Sequence, residues 1–261
     1  MAVYITGDTH GGIDIGKLSY ERWPESQNLT DNDYLIICGD FGFVWNNSAT
    51  EKQWLKWFDN KPYITLYCLG NHESYDLTKE FPIIDYLGGK VRQISKKVFC
   101  LMNGECYTIC GKKFFVMGGA SSYDISDGIL EPTDPDFAEK YMRMSRQNKM
   151  FRVNHVSWWK EEIPSKEEFE HGLDTIKKND YKFDYVISHC VCDTIIDKLS
   201  NYCYNHDVLT TWLEDNVFKK CEYKAWYFGH YHLDGVYASR NKNGELIPYY
   251  CSYDIVHDLY E

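Results

Sequence analysis

Short apolar runs recur along the chain and predict a set of buried strands. They are rich in β-branched and aromatic residues, and turn-forming residues such as Gly or Ser follow them. The six clearest runs are Val3–Thr6, Tyr34–Cys38, Ile64–Leu69, Phe114–Met117, Tyr185–Ile187 and Ala225–Phe228. Because helix-period segments lie between several of these runs, the order of elements predicts an α/β protein.

Three segments between the runs carry apolar residues at helical spacing behind a residue that favours a helix N-terminus. Ser48 with Glu51 and Ser165 with Glu168 have the spacing of a capping box, and Asp207 can cap a third helix. The apolar faces of the three predicted helices consist of Trp54, Leu55, Trp57 and Phe58, then Phe169, Leu173 and Ile176, and finally Val208, Trp212 and Leu213.

Other stretches predict additions to this core, so the sheet is expected to be mixed. Residues 91–110 carry two or three short strands with a turn at Asn103-Gly104, and residues 236–251 predict a hairpin around Asn243-Gly244. The segment 123–154 has weak periodicity and two prolines. It is a candidate lid or substrate-selecting loop, and an ordinary solvated helix explains it equally well.

Length, composition and charge bound the class of protein. The 261 residues, 44% of them hydrophobic and 26% charged, predict one soluble domain spanning residues 1–261. No apolar stretch approaches the roughly 18 to 20 residues of a membrane span, and no basic leader precedes Val3, so we expect neither a membrane segment nor export. A formal charge of −11 has the wrong sign for extended contact with nucleic acid.

The ten cysteines could form a disulfide framework or remain reduced. They are dispersed through apolar or mixed segments, and no pair has the CxxC spacing typical of redox or metal sites. A free cysteine commonly behaves as a small buried hydrophobe. We therefore expect reduced, buried thiols and a cytoplasmic protein.

Acids, amides and histidines follow the predicted strands at the points where these strands end. The residues concerned are Asp8, His10, Asp40, Asn71, His72, His189, His230 and His232. In an α/β sheet, ligands bind in the crevice outside the carboxyl ends of the strands. These separate segments are therefore expected to converge on one place.

The types of side chain in this series predict a metal centre. Imidazole nitrogens combined with carboxylate and amide oxygens suit borderline divalent ions such as Mn, Fe, Zn, Ni or Co. Seven candidate ligands are too many for one ion, but they suit two ions about 3.5 to 4 Å apart that share one carboxylate. Asp40, in the middle of the series, is the expected bridge. The candidate ligands are Asp8, His10, Asp40, Asn71, His189, His230 and His232.

A glycine stands immediately before four of the ligand segments. Gly7, Gly39, Gly70 and Gly229 lack a Cβ, so the backbone can turn sharply out of each strand and approach an ion closely. Alone, an Asp-x-His or His-x-His pair is a weak signal. Together and in this order, the segments form a specific pattern.

This pattern resembles the five-block signature of the calcineurin-like metallophosphoesterases. The blocks are Gly7-Asp8-Thr9-His10-Gly11, Gly39-Asp40, Gly70-Asn71-His72-Glu73, His189 and Gly229-His230-Tyr231-His232. Three further segments are similar to a bacterial and phage branch of that superfamily, namely Gly118-Gly119-Ala120-Ser121, Ser157-Trp158-Trp159 and Asp184-Tyr185-Val186-Ile187-Ser188-His189. The resemblance implies a four-layer α/β/β/α sandwich that contains two mixed sheets.

The resemblance also implies how the site residues divide. Asp8, His10, Asp40 and His232 would hold one metal ion, and Asp40, Asn71, His189 and His230 the other. A metal-bridging hydroxide would attack phosphorus. His72 would face the leaving group and donate a proton to it as the general acid.

The chain departs from the protein phosphatases of this superfamily after the second block. In those enzymes the block continues to a second Asp, which supports the catalytic histidine, and to an Arg that holds phosphate. In residues 39–45 of this chain, Asp40 is followed by neither. We therefore do not expect protein Ser/Thr phosphatase activity. Glu73 points away from His72 in an extended backbone, so a carboxylate that orients His72 must come from elsewhere. The aromatic side chains Phe41, Phe43 and Trp45 form either an apolar or base-stacking wall beside the ions or a cover over the sheet end.

The expected function is hydrolysis of a small phosphoester or nucleotide by a binuclear metal centre. A phosphodiester fits the missing arginine, whereas a phosphomonoester fits if Arg143, Arg146 or Arg152 folds over the site. Two other classes stay open: a metal-dependent hydrolase of carboxyl esters and a catalytically silent binding module of the same fold.

Overall fold

The computed structural model describes residues 1–199 and 204–259, and these residues form fifteen strands. In chain order the strands are β1 (Val3–Thr6), β2 (Tyr34–Ile37), β3 (Ile64–Tyr67), β4 (Ile83–Tyr86), β5 (Gly89–Gln93), β6 (Val98–Leu101), β7 (Cys106–Ile109), β8 (Lys112–Met117), β9 (Ile129–Leu130), β10 (Arg152–Val153), β11 (Tyr185–Ser188), β12 (Ala225–Phe228), β13 (Gly235–Arg240), β14 (Leu246–Cys251) and β15 (His257–Asp258). The six predicted strands are all present, with ends that differ by at most two residues.

The described residues also form six α-helices and four short helical segments of other types. The α-helices are α1 (Ala49–Asp59), α2 (Tyr75–Glu80), α3 (Phe137–Arg146), α4 (Lys166–Lys178), α5 (Asp193–Ile196) and α6 (Val208–Leu213). Three 3₁₀ segments cover Ile15–Leu18, Pro24–Asn28 and Lys160–Glu162, and a π-helical segment covers Glu214–Phe218.

Two large sheets organise the chain, and both are mixed. The first has the order β15-β1-β2-β3-β6-β5-β4, in which β1, β2, β3 and β6 run parallel to one another. The second has the order β13-β14-β12-β11-β8-β7, in which β14, β12, β11 and β8 run parallel. Antiparallel strands complete the edges of both sheets.

Strand alternation divides the buried side chains into three cores. In β2, Ile36 faces the core between the two sheets, whereas Leu35 and Ile37 face the helices on the outer side. In β11, Ile187 lies in the same central core, and Val186 faces the outer helices of the second sheet. Helix α1 covers the first sheet, and α4, α5 and α6 cover the second. This four-layer arrangement confirms the predicted α/β/β/α sandwich.

The two predicted turns have different roles. The Asn243-Gly244 hairpin joins antiparallel β13 and β14 as predicted, and Gly244 adopts a φ of 82°. The turn at Asn103-Gly104 instead connects β6 of the first sheet to β7 of the second. The short strands of residues 91–110 therefore do not form one antiparallel unit. The apolar pattern indicated the strands correctly but could not indicate the change of sheet.

The predicted helix caps are present with one difference. Ser165 and Glu168 form a complete capping box on α4, and Asp207 accepts two backbone N–H bonds at the start of α6. Ser48 caps α1, but the Glu51 carboxylate accepts from the Asn46 and Asn47 backbone instead of from Ser48.

The first residue of α6 does not belong to its predicted apolar face. The side chain of Val208 is exposed, whereas Leu209 and Leu213 are buried. Position N1 of a six-residue helix points outward here, so the face is shorter than the sequence pattern indicated.

Segment 123–154 forms an excursion with little structure of its own. Strands β9 and β10 make a two-stranded parallel sheet, and α3 between them has no buried residue. The excursion therefore adds a small exposed unit beside the sandwich. Every helix in the described part of the chain is too short or too polar to cross a membrane.

Nine of the ten cysteines lie in the described ranges, and all nine are free thiols; Cys203 lies outside those ranges. Seven of the nine are buried, and Cys106 and Cys110 are half-buried. Burial raises the pKa of thiols such as Cys38 and Cys68 well above the ordinary value, which leaves them protonated and unreactive.

We expect a mild reductant to leave the melting temperature unchanged, because no disulfide joins the described thiols. Thermal unfolding with and without reductant, followed by circular dichroism, measures this. Thiol titration of the denatured protein should give close to ten free groups. A fall of several degrees on reduction would contradict the prediction, since loss of a native disulfide costs about 2 to 5 kcal/mol.

Candidate metal centre

The carboxyl ends of five strands, drawn from both sheets, meet at one edge of the sandwich. Strands β1, β2 and β3 of the first sheet deliver Asp8, His10, Asp40, Asn71 and His72, and β11 and β12 of the second deliver His189, His230 and His232. Backbone contacts join these segments directly. The His10 N–H donates to the Asp40 carbonyl at 2.8 Å, and the His230 N–H donates to Asp8 Oδ1 at 3.1 Å. The predicted convergence of the segments is therefore observed.

Glycines make this close approach feasible. A Cβ on Gly70 would lie 2.1 Å from Asp40 Oδ1, and a Cβ on Gly229 would lie 2.1 Å from Asp8 Oδ1. Any larger residue would therefore have to displace one of the two buried carboxylates. The role of these two glycines is to make room for the side chains of other segments, rather than to turn the backbone.

Four of the site residues adopt left-handed backbone conformations. His10, Asp40, His230 and His232 have φ values of 43°, 48°, 67° and 50°. Such a conformation is uncommon for residues other than glycine and costs of order 1 to 3 kcal/mol at each position. Strain concentrated at these positions indicates that the surrounding structure holds them for a purpose other than stability.

Asp40 occupies the centre of the cluster and is almost completely buried. Its Oδ2 lies 3.2 Å from His10 Nε2, and its Oδ1 lies 3.3 Å from His189 Nε2. The backbone N–H of His72 also donates to Oδ1 at 2.7 Å. The two oxygens of one carboxylate thus face two different histidines.

Asp8 forms a second centre beside Asp40. Its Oδ2 lies 3.3 Å from His232 Nε2, and its Oδ1 lies 3.8 Å from His189 Nδ1. Within the described residues, three sets of potential ligand atoms each fit within 4.8 Å: Asp8, His10 and His232; His10, Asp40 and His72; and Asp8, Asp40 and His189.

Asn71 and His230 border the same cluster. Asn71 Oδ1 lies 3.2 Å from His189 Nε2, so its amide oxygen faces the centre. The ring centroid of His230 lies 4.9 Å from that of His189. Burial, reinforced by the nearby His189, lowers the pKa of His230 to about 3, which leaves a neutral ring able to donate a lone pair.

Neighbouring groups fix the orientation of several candidate ligands. Asp14 Oδ2 lies 2.7 Å from His10 Nδ1, and the Cys38 carbonyl lies 2.7 Å from His189 Nδ1. In both rings the Nε2 atom is then left facing Asp40. Supporting hydrogen bonds of this kind fix the tautomer of metal-binding histidines.

Asn71 is oriented by a buried pair of side chains from later in the chain. Its Nδ2 donates to Ser122 Oγ at 3.3 Å, and Ser122 Oγ donates to Glu162 Oε2 at 2.7 Å. Sequence reasoning did not identify Asp14, Ser122 or Glu162. Ser122 directly follows the Gly118–Ser121 motif, which was the only available signal.

A buried lysine supports the first ligand segment from behind. Lys17 is 2% exposed, and its Nζ donates to the carbonyls of Gly7 at 2.9 Å and Asp8 at 2.7 Å. It also donates to the carbonyl of Tyr253, whose ring stacks on His232. Burial lowers the pKa of Lys17 to about 8, against the attraction of Asp8 and Asp14. No pattern in the sequence indicates this role.

The carboxylates and imidazoles of the cluster shift one another's pKa values. Burial alone would raise the pKa of both Asp8 and Asp40. The surrounding histidines outweigh that effect and hold the pKa of Asp40 well below, and that of Asp8 below, the ordinary value. Conversely, Asp40 raises the pKa of His189 to about 9, although burial acts in the opposite direction. The carboxylates are therefore ionised at neutral pH.

His72 lies at the border of this cluster and faces a different neighbour. Its Nδ1 and Nε2 lie 3.3 Å and 3.4 Å from the two terminal nitrogens of Arg152. Burial lowers the pKa of His72, and the positive charge of Arg152 adds to that effect. The three basic candidates of the excursion therefore separate: Arg152 reaches the site, whereas Arg143 and Arg146 are exposed on α3.

Glu73 faces away from His72, as its position in an extended segment indicated. It is fully buried, and its Oε1 accepts the Phe41 N–H at 2.7 Å. Burial raises the pKa of Glu73 to about 8, and the charge of Asp40 contributes. Glu73 therefore braces the loop that carries Asp40.

The aromatic residues after Asp40 cover the sheet end and do not form a wall beside the site. Phe41 and Phe43 are buried, and Phe41 stacks on Tyr67 at a centroid distance of 4.3 Å. Trp45 packs against Trp159. The hypothesis of a base-stacking wall is therefore wrong for Phe41 and Phe43, because both rings belong to the core under α1.

An open cavity of about 190 Å³ lies directly over the cluster. Its lining consists of Asp40, Asn71, His72, Tyr123, Asp124, Arg152, His230 and His232. Three of these residues come from the excursion, so that segment forms one side of the cavity.

The donor set fits two divalent transition-metal ions. Asp40 offers one oxygen to each side, imidazole nitrogens lie on both sides, and supporting groups orient His10, His189 and Asn71. Nitrogen and oxygen donors in this mixture favour Mn, Fe, Zn, Ni or Co over Ca or Mg.

We expect Gly70→Ala to weaken metal binding by roughly 10- to 100-fold, because the new Cβ would displace Asp40. Titration of metal-free protein with Mn²⁺, followed by calorimetry, measures the change. Gly16→Ala is the matched control, since nothing lies within 4 Å of a Cβ at that position. Equal affinities in the two variants would contradict this prediction.

Comparison with curated proteins finds no match. Among solved structures, a phosphopantetheinyl hydrolase from Mycobacterium tuberculosis has 13% identity and a TM-score of 0.46, over 97% of this chain and 90% of its own. An NAD nucleotidase from Haemophilus influenzae has 12% identity and a TM-score of 0.41, over 99% of this chain and 46% of its own.

The sequence profile of the calcineurin-like phosphoesterases matches residues 1–234, which covers most of the chain and all five blocks. This match confirms the resemblance drawn from those blocks. The chain therefore belongs to the calcineurin-like phosphoesterase family.

Proposed function

We propose that this chain hydrolyses small phosphoesters with the help of two divalent transition-metal ions. Family membership indicates a phosphoesterase-type hydrolase. The observation that carries the finer proposal is the position of Asp40, whose two oxygens face His10 and His189 at 3.2 Å and 3.3 Å. One carboxylate between two imidazole-containing sets is what a shared bridging ligand requires.

The proposed ligand sets are those that the family resemblance implies. Asp8, His10, Asp40 and His232 would hold one ion, and Asp40, Asn71, His189 and His230 the other. When bound, two such ions supply Lewis-acid charge and an activated water for attack at phosphorus. The chain itself supplies the geometry, because Asp14, the Cys38 carbonyl and Ser122 fix the orientation of ligands on both sides.

His72 is the proposed general acid. It lies at the cavity wall, and its backbone N–H, rather than its ring, is bonded to Asp40. Its ring nitrogens face Arg152 at 3.3 Å and 3.4 Å, and the ring lies at the open side of the cluster, where a leaving oxygen would sit. Burial lowers the pKa of His72, so this role requires that the negative charge of a bound phosphate favour the protonated ring.

We expect the purified protein to bind close to two transition-metal ions per chain. Asp40→Asn should weaken both sites together, because it removes a negative charge that both share. His10→Ala should weaken mainly one. Elemental analysis after dialysis, with Mn, Ni, Zn and Mg supplied separately, measures the stoichiometry.

Asp174→Asn on α4 provides the matched control, since that side chain is 79% exposed. One tightly held ion in the wild type, unchanged in Asp40→Asn, would exclude the binuclear centre. Activity on p-nitrophenyl acetate without activity on any p-nitrophenyl phosphate ester would exclude the phosphoesterase function and favour a carboxyl esterase.

We expect His72→Ala to keep both ions and to lower turnover by about 10² to 10⁴ on a substrate with a poor leaving group, because that oxygen needs a proton. The loss should shrink with p-nitrophenolate, which leaves as a stable anion. Steady-state kinetics on alkyl and p-nitrophenyl esters measure the difference, and His171→Ala on α4 is the control.

His72 also lies within reach of His10 and Asp40, so a ligand role is the direct alternative. Departure of one ion from His72→Ala would assign His72 to the ligand set. Equal losses on good and poor leaving groups would likewise overturn the general-acid assignment.

A further inference from the structure

We propose that Arg152 of the excursion selects substrates with a terminal phosphate, so that the site prefers phosphomonoesters to phosphodiesters. This inference rests on the proposed function and adds the substrate class to it. The family-type arginine after the second block is missing from residues 39–45. Arg152, more than a hundred residues later, brings a guanidinium to the same cavity.

The two terminal nitrogens of the guanidinium face the ring of His72 at the cavity wall. Nη1 lies 3.3 Å from His72 Nδ1, and Nη2 lies 3.4 Å from His72 Nε2. A neutral imidazole can accept a hydrogen bond at only one of its nitrogens, and an imidazolium can accept none. His72 therefore cannot satisfy both N–H groups, whatever its protonation state.

The other donors of Arg152 are used to anchor it. Nε lies 2.7 Å from Asp124 Oδ1, Nη2 lies 2.7 Å from Asp124 Oδ2, and Nη1 donates to the Ser157 carbonyl at 2.9 Å. The side chain is only 12% exposed. The guanidinium fork is thus fixed in position, and one N–H of each terminal nitrogen is directed at the His72 ring, which can accept at most one of the two. A phosphate in the cavity would supply the acceptors that His72 lacks.

The segment that follows Arg152 is held by its own turn, by β9 and by helix α2. Ser157 Oγ accepts the Val153 N–H at 2.9 Å, and β10 pairs with β9. Beyond it, His155 and the Trp159 indole both bond Asp76 of α2, at 2.8 Å and 2.7 Å. These contacts give a physical role to the Ser157-Trp158-Trp159 motif: it holds the arginine in place.

Two parallel N–H groups match two oxygens of one phosphate. A terminal phosphate has three non-bridging oxygens, so it can engage the fork while its remaining oxygen faces the metal ligands. A diester has only two non-bridging oxygens and carries a second ester arm in place of the third. Since Asp124 balances the charge of Arg152, the discrimination comes from hydrogen-bond geometry rather than from net charge.

The test compares p-nitrophenyl phosphate with bis-p-nitrophenyl phosphate on Mn-loaded protein. Arg152→Met should lower kcat/KM for the monoester by about 10- to 100-fold, because two hydrogen bonds to a charged group are lost. The diester should change by less than about threefold. Arg152→Lys should fail to restore the monoester rate, since a point charge does not replace the fork.

Arg146→Met is the matched control, because Arg146 lies on the same excursion and is exposed. Binding supplies a readout that is independent of turnover. Calorimetry with inorganic phosphate should show a weaker Kd in Arg152→Met, whereas the Kd for dimethyl phosphate should stay the same. Melting temperatures establish that each variant is folded before these comparisons are made.

Equal losses on monoester and diester, or an unchanged Kd for inorganic phosphate, would overturn the role of Arg152. Full rescue by Arg152→Lys would also overturn it, because charge alone would then suffice. If the proposed function is wrong, the wild-type protein will hydrolyse neither ester. The comparison of phosphate binding would still decide the role of Arg152 in that case.

Discussion

The burial of two ionised carboxylates, Asp8 and Asp40, at the junction of the two sheets is the constraint on which the site depends. Each is at most 1% exposed, and both face imidazoles rather than water. Removing carboxylates from water is expensive unless partners repay the cost. Backbone N–H groups, histidines and Lys17 provide that compensation, and the neighbouring glycines make room for it.

The two sheets and the excursion contribute different sides of the site. Strand ends from both sheets deliver the candidate ligands, and their positions follow directly from the pairing of β1 with β2 and of β11 with β12. The cavity wall opposite them comes from the excursion, through Tyr123, Asp124 and Arg152. The candidate ligands thus lie at the ends of the strands, and one side of the cavity comes from a segment outside the sheets.

Much of this arrangement could be predicted from the sequence because it is local. Apolar runs indicate strands, and ligand-type residues directly after them must lie at one edge of the sheets. The supporting residues Asp14, Ser122 and Glu162 could not be found, because a single polar residue in a loop carries no periodic signal. The crossing between sheets at Asn103-Gly104 was missed for a related reason: a turn signal does not indicate which sheet the next strand joins.

Lys17 has a consequence for the order in which the protein matures. Its ammonium lies under the ligand segment and donates to three backbone carbonyls, so part of the counter-charge for Asp8 is built into the chain. A polypeptide with an internal cation of this kind can complete its folding before any ion arrives, unlike small zinc domains that fold only around their metal. The proposed ions would then bind to a cavity that is already formed. For that proposed centre, the supply of metal in the cell, more than the folding reaction, would decide which ion binds.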